Sequence, residues 1–167
     1  VQEALGEIYA SPLWPNPGGL EHAAHLFVQI AQRREARTDR DGAIAYLRRA
    51  LGADPENEAA ASRLERAYRD TGRWQDLDRL YRQRLSVVDE ATQAELGLRR
   101  GELLERKLGD LKGARECYEA LLDDELVGSR AETRLRDIYR AEEDWKALLE
   151  LNERALARTA APDARIR

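Results

Sequence analysis

Apolar positions recur along this chain at helical spacing and almost nowhere in alternation. Leu64, Ala67 and Tyr68 form one such set, and Leu77, Leu80, Tyr81 and Leu85 another. Leu103, Leu104 and Leu108, then Leu135, Ile138 and Tyr139, then Leu148, Leu151 and Leu156 follow the same rule. Wound on an α-helix, each set becomes one stripe with Arg and Glu opposite. β-branched residues never cluster in a period of two, so no strand is expected. The pattern predicts helices over 20–37, 40–52, 56–71, 73–87, 91–108, 110–122, 129–141 and 144–158. The connections between them are very short, so consecutive helices must pack antiparallel.

Punctuation residues fall at the ends of these segments. Asp54-Pro55 reads as an N-cap followed by proline at the first helical position, where the missing N–H is no loss. Asp110 is placed to cap the helix that runs through Ala114 to Leu122, and Ser129 with Glu132 fits a capping box. Gly72, Gly109 and Gly128 stand where a helix is expected to stop, positions that favour left-handed backbone.

The chain also repeats itself. Displaced by 71 residues, Arg63, Leu64, Tyr68, Arg69, Trp74, Leu77, Leu80 and Leu85 fall on Arg134, Leu135, Tyr139, Arg140, Trp145, Leu148, Leu151 and Leu156. Gly42, Ala43 and Leu51 fall on Gly113, Ala114 and Leu122. A unit of that length holds two helical hairpins of ~35 residues, the signature of a solenoid whose hairpins bury their apolar faces on one another.

Composition narrows the reading. The 167 residues carry 28 Lys+Arg against 32 Asp+Glu, a net charge of −4, with one Cys, two His and no Met. One thiol closes no internal disulfide, and one Cys with two His builds no ordinary structural zinc site. No apolar run approaches the ~20 residues of a membrane span. No signal peptide is visible from Val1 onward, and the cytoplasm is the expected compartment.

A hairpin repeat of this length resembles the tetratricopeptide repeat. In a first repeat Phe27, Ile30, Ala31, Ala43, Leu47 and Pro55 stand at the family's spacing, with Arg34 in the usual Tyr place. Leu64, Tyr68, Gly72 and Tyr81 fit a second, where Leu77 replaces the small residue and Asp89 the proline. Gly101, Leu104, Gly109, Ala114 and Tyr118 fit a third if its first helix is one residue longer, and Leu135 and Tyr139 fit a fourth. The resemblance implies an all-α, right-handed α-α solenoid of tetratricopeptide-like helical hairpins. It would comprise a partial repeat helix and Pro-rich linker over 1–19, about four hairpins over 20–158, and the start of a further repeat or a tail over 159–167. Tyr68, Tyr81, Tyr118, Tyr139, Trp74 and Trp145 are expected to fill the space between hairpins.

No constellation for catalysis emerges. His22 and His25 lie three apart on one face with no third ligand beyond Glu21, and are expected to be structural. Cys117 reads as a buried, inert thiol. Asp123-Asp124-Glu125 reads as a solvated loop, and Trp14 stands in the Pro-rich stretch. There is no phosphate-cradling glycine loop after a strand. The chain is therefore expected to be no enzyme and to need no cofactor or metal.

Binding is the better prospect. In the family, inward polar positions of each hairpin's first helix carry ligand contacts. By register these are Gln29 and Gln32, then Arg63, Arg66 and Arg69, then Arg99, Glu102 and Arg106, then Arg130, Arg134, Asp137 and Arg140. An acidic chain thus turns a basic face to the groove. Guanidinium forks suit carboxylates, so the expected function is a protein–protein interaction module that binds an acidic peptide of another protein. Some relatives clamp a terminal carboxylate with Lys and Asn; Val28 and Gln32 stand at those places here. Nucleic acid is not expected, because net charge is negative and no base-stacking aromatics stand beside the Arg. The alternative of another class is a structural or assembly spacer that associates through its terminal repeats.

Overall fold

A computed structural model describes residues 2–9 and 18–160. Within them all regular structure is helical: α1 (Gln2–Tyr9), α2 (Gly19–Ala36), α3 (Arg40–Ala53), α4 (Glu58–Asp70), α5 (Trp74–Arg84), α6 (Glu90–Leu103), a π-helical turn (Leu104–Leu108), α7 (Leu111–Glu119), α8 (Gly128–Ala141) and α9 (Trp145–Ala160). The expected Pro-rich linker over 10–17, with Trp14, and the expected helix start at Pro162-Asp163 lie outside the described residues. The chain divides into two compact units, Val1–Val88 and Asp89–Arg167.

In the first unit α2 packs on α1 and α3, α3 on α4, and α4 on α5. Phe27, Leu47, Leu64, Leu77 and Tyr81 are fully buried there. Gly6 of α1 lets the Phe27 ring approach: a Cβ at Gly6 would lie 2.6 Å from Phe27 Cε1. The second unit repeats the plan, with α6 on α7, α7 on α8 and α8 on α9. Leu98, Ala114, Tyr118, Ala131 and Leu135 form the centre of its core.

The small residues expected at close helix approaches do that work. Gly101 of α6 faces Tyr118 of α7, and a Cβ there would lie 2.5 Å from the Tyr118 ring. The extra residue expected in this first helix is present as the π-helical turn, which widens one turn and ends at Gly109 with φ 67°. The Asp39 carboxylate accepts from the Gly42 N–H at 3.0 Å, and the Asp110 carboxylate from Gly113 at 2.9 Å. Glycine at that third position leaves room for the capping carboxylate in both units.

Three expected boundaries are corrected. Asp54 ends α3, and its carboxylate accepts from the Glu56 N–H and the Asn57 side chain. Asn57 is the cap of α4, accepting from Ala60 N–H at 3.0 Å, because Pro55 and Glu56 are spent in a turn. Ser129 lies inside α8 and caps nothing. The Asp124 carboxylate takes the N–H groups of Leu126 and Val127, so the helix begins before the capping box. Gly72 and Gly109 are left-handed as expected, whereas Gly128 opens α8 in ordinary backbone. It is small because the Leu122 carbonyl stands 2.8 Å from where its Cβ would be.

The aromatic expectation holds for Tyr68, Tyr81, Tyr118 and Tyr139, all buried. It fails for Trp145, which is 62% exposed. Its helix α9 packs on α8, burying Leu151, while Trp145, Leu149 and Leu156 share the outer stripe.

Candidate functional site

α2 and α4, the first helices of two successive hairpins in the first unit, border a cleft of about 620 Å³. Glu35 and Thr38 line it from the end of α2, and Arg40 and Ala43 from the start of α3. α4 supplies Ala59, Ser62, Arg63, Arg66, Ala67 and Asp70, one polar stripe floored by alanines. Thr38 adopts φ 61°, which turns the chain sharply enough to bring Arg40 to the rim. That conformation is uncommon for a non-glycine residue.

Three guanidinium groups face two carboxylates in this cleft. Arg63 Nη1 meets Glu35 at 2.9 Å across the gap between α2 and α4. Arg66 is 86% exposed and its nearest carboxylate, Asp70, is 3.7 Å away. Arg40 has no acidic partner among the described residues. Arg40 is thus open to a guest, Arg66 is loosely paired and largely exposed, and Arg63 is already engaged.

The remaining predicted groove residues lie elsewhere. Gln29 hydrogen-bonds the His25 ring at 2.9 Å, and Gln32 is exposed on α2. Arg69 turns to α5 instead of the cleft, donating to the Tyr81 hydroxyl at 3.0 Å and pairing with Glu65 at 2.7 Å. In the second unit Arg99 and Arg130 share Glu95, at 3.3 and 2.9 Å. Arg134 is mostly buried and pairs with Glu105 at 3.2 Å. The Tyr118 hydroxyl donates to that same Glu105 at 2.8 Å. Burial, then that bond, pushes the Tyr118 phenol well above its ordinary range. Arg106 and Arg140 are exposed and without an acidic partner among the described residues. The sequence face therefore resolves into one open cleft and a set of structural ion pairs.

Arg40, Ser62 and Asp70 are lining residues that register did not single out. Arg40 is the first residue of α3, and the cue to its position was the polar Thr38-Asp39 pair that ends in the α3 cap.

His22 packs edge-on against Tyr9, their ring centroids 4.7 Å apart, which gives it a structural place. Among the described residues no group of three His, Cys, Asp or Glu side chains could hold a metal ion. Cys117 is half-buried, not buried, because it lies on the edge of α7 where Arg100 Nη1 donates to its sulfur at 3.4 Å. No helix among the described residues is long and apolar enough to cross a membrane.

The tetratricopeptide repeat family model matches residues 60–95, from α4 into α6. The crystal structure of MamA protein is similar over 80% of this chain and 72% of that one, at 20% identity and a TM-score of 0.56. A second crystal structure of MamA is similar over 86% of this chain and 90% of that one, at 14% identity and a TM-score of 0.56. No curated protein sequence matches the chain. The chain is a tetratricopeptide-like helical-repeat protein of the all-α solenoid class, with a tetratricopeptide repeat at 60–95.

Proposed function

We propose that this chain is a protein–protein interaction module that receives an acidic segment of another protein in the cleft between α2 and α4. The tetratricopeptide repeat supports the interaction role. The observation that carries the finer reading is the exposed pair Arg40 and Arg66, the second only loosely held by Asp70, above a floor of Ala43, Ala59 and Ala67. Small side chains let a guest backbone come close, and guanidinium groups fork onto its carboxylates. Exposed ion pairs contribute only ~0.2–1 kcal/mol each, so the Arg supply orientation and encounter rate more than affinity.

The test is titration of a labelled peptide alternating glutamate and serine into the full chain, parent against an Arg40→Glu, Arg66→Glu variant of confirmed helicity. Binding by the parent that weakens with salt and is lost in the variant supports the reading. Equal binding by both, or none by the parent, overturns it. Arg134 is unsuited to such a test, because a carboxylate there would lie half-buried against Glu105.

A second reading, assembly through the terminal repeats, is supported by the apolar stripe Trp145, Leu149 and Leu156 on α9. Concentration-dependent sedimentation that disappears in a Trp145→Ser, Leu149→Ser variant would favour it.

A further inference from the structure

A second cleft of about 590 Å³ opens in the first unit between α3 and α5. Leu64 and Tyr68 of α4 form its floor, and Leu51, Pro55 and Val87 are its apolar walls. Arg48, Arg79 and Arg84 also line it, against the single carboxylate of Asp76. Asp76 is divided among neighbours: Arg48 reaches it at 3.1 Å, Arg79 at 2.6 Å and Arg73 at 3.7 Å. With Glu58 holding Arg84, two carboxylates serve Arg48, Arg73, Arg79 and Arg84, which leaves the cleft short of negative charge.

Arg84 lies deeper, and like Arg115 and Arg134 it has a buried Nε without an acceptor. It is only 5% exposed, and both its terminal nitrogens are bound to Glu58. A buried donor without an acceptor is uncommon, and leaving it unmet is costly.

The internal repeat shows how the same place is treated in the second unit. At 71 residues beyond Gln83 and Val87 stand Arg154 and Arg158. Arg158 reaches the Leu122 carbonyl and Glu132, and Arg154 pairs with Asp123. Leu122 and Asp123 are the counterparts of Leu51 and Gly52, and Glu119 is the counterpart of Arg48. In the second unit the chain's own cations therefore cover an acidic wall. In the first unit the wall is basic and the covering side chains are short.

We infer that the α3–α5 cleft of the first unit is a second docking site, for a segment of a partner protein that pairs a carboxylate with an adjacent aliphatic side chain. The carboxylate meets Arg48 and Arg79, whose side chains are exposed at the rim; the aliphatic group lies on Leu51 and Val87. This site is independent of the α2–α4 cleft and of the reading based on it.

Gly52 provides the test. It lines the cleft, is exposed, and a Cβ there meets nothing within 4 Å. A labelled peptide alternating glutamate and leucine is titrated into the full chain, with a glutamine–leucine peptide as the control. Gly52→Glu places a competing carboxylate in the cleft, and Arg79→Glu reverses its charge. Both are expected to weaken the glutamate–leucine peptide about tenfold or more, a change of ~1.4 kcal/mol. Every protein in the set carries Arg40→Glu and Arg66→Glu, so that the α2–α4 cleft takes no peptide, and Gly52→Ala, which strengthens the helix, is expected to leave binding within about twofold. Helicity and melting temperature are matched across the set. The inference is overturned by no binding to the parent, by equal binding of the glutamine–leucine peptide, or by binding indifferent to Gly52→Glu. It is equally overturned if Gly52→Ala weakens binding as much as Gly52→Glu. Self-association without peptide that Gly52→Glu abolishes would assign the cleft to a second copy and overturn the partner assignment.

Discussion

Arg48 and Glu119 occupy the same place in the two units and present opposite charges to the same tyrosine hydroxyl. Arg48 Nε donates to the Tyr68 hydroxyl at 2.7 Å; the Tyr139 hydroxyl donates to Glu119 at 2.8 Å. The hydroxyl serves as acceptor in one unit and donor in the other, so the packing is kept while the charge is inverted. The bond to Tyr68 also holds the Arg48 guanidinium more firmly protonated than usual.

This relationship predicts the effect of copying one unit into the other. Arg48→Glu alone places a second carboxylate near Asp76 and loses their ion pair. Combined with Asp76→Ala, the residue type found 71 positions on at Ala147, it keeps the tyrosine bond without the repulsion. Urea denaturation should show the double variant more stable than Arg48→Glu alone, by about 0.5–1 kcal/mol. A double variant less stable than the single would contradict the exchange of donor and acceptor.

Gly101 and Tyr118 should be coupled in the same manner. The first unit solves this contact with Ala31 and Leu47, both fully buried. Gly101→Ala is expected to destabilise by ~1–3 kcal/mol, because the new methyl meets a ring that cannot retreat. Adding Tyr118→Leu should recover part of that loss, and additive costs in the cycle would show that the ring is not what excludes the methyl.

The caps make a prediction that separates two adjacent helix starts. Asn57→Ala and Asp110→Ala should each cost ~1 kcal/mol. Ser129→Ala should cost nothing measurable, since Ser129 is inside α8. Chemical denaturation of the three single variants decides it.

Alkaline pH should unfold the protein through its buried phenols. Burial, then the charge of Glu65, pushes Tyr81 up to about 12. Burial, then the bond to Glu119, pushes Tyr139 up to about 12. A folded-state pKa above the unfolded value of ~10 stabilises the native state fully below that value, and the contribution is lost as pH rises through the folded one. Tyrosinate absorbance should therefore rise late, between pH ~10 and about 12, together with loss of helicity. Ionisation of all the tyrosines near pH ~10 with helicity intact would refute the burial of these hydroxyls.

Helix positions were legible because apolar spacing, capping Asp residues and left-handed glycines all report local backbone. Asp39 and Asp110 cap within three residues of themselves, so their partners are visible in the sequence. The candidate site was legible only in part. Register places Arg63 and Arg69 alike on the inner face, yet Arg63 crosses to Glu35 while Arg69 turns to Tyr81. That choice depends on which acid a long, flexible side chain can reach across a helix pair, information that spacing along one helix does not carry. Trp145 failed for a related reason: similarity to Trp74 fixes its place on the helix, not whether a neighbour covers it.

The π-helical turn at Leu104–Leu108 bears on how such a chain tolerates change. One inserted residue rotates everything after it in an α-helix by about 100°, which would carry an apolar stripe off its partner. Here the excess is confined to five residues, and beyond Gly109 the second unit is back in step with the first, as Asp110, Gly113 and Ala114 match Asp39, Gly42 and Ala43. A repeat with one slack turn can gain or lose a residue and hand its successor an unshifted surface, so length variation within one hairpin need not spread along the array.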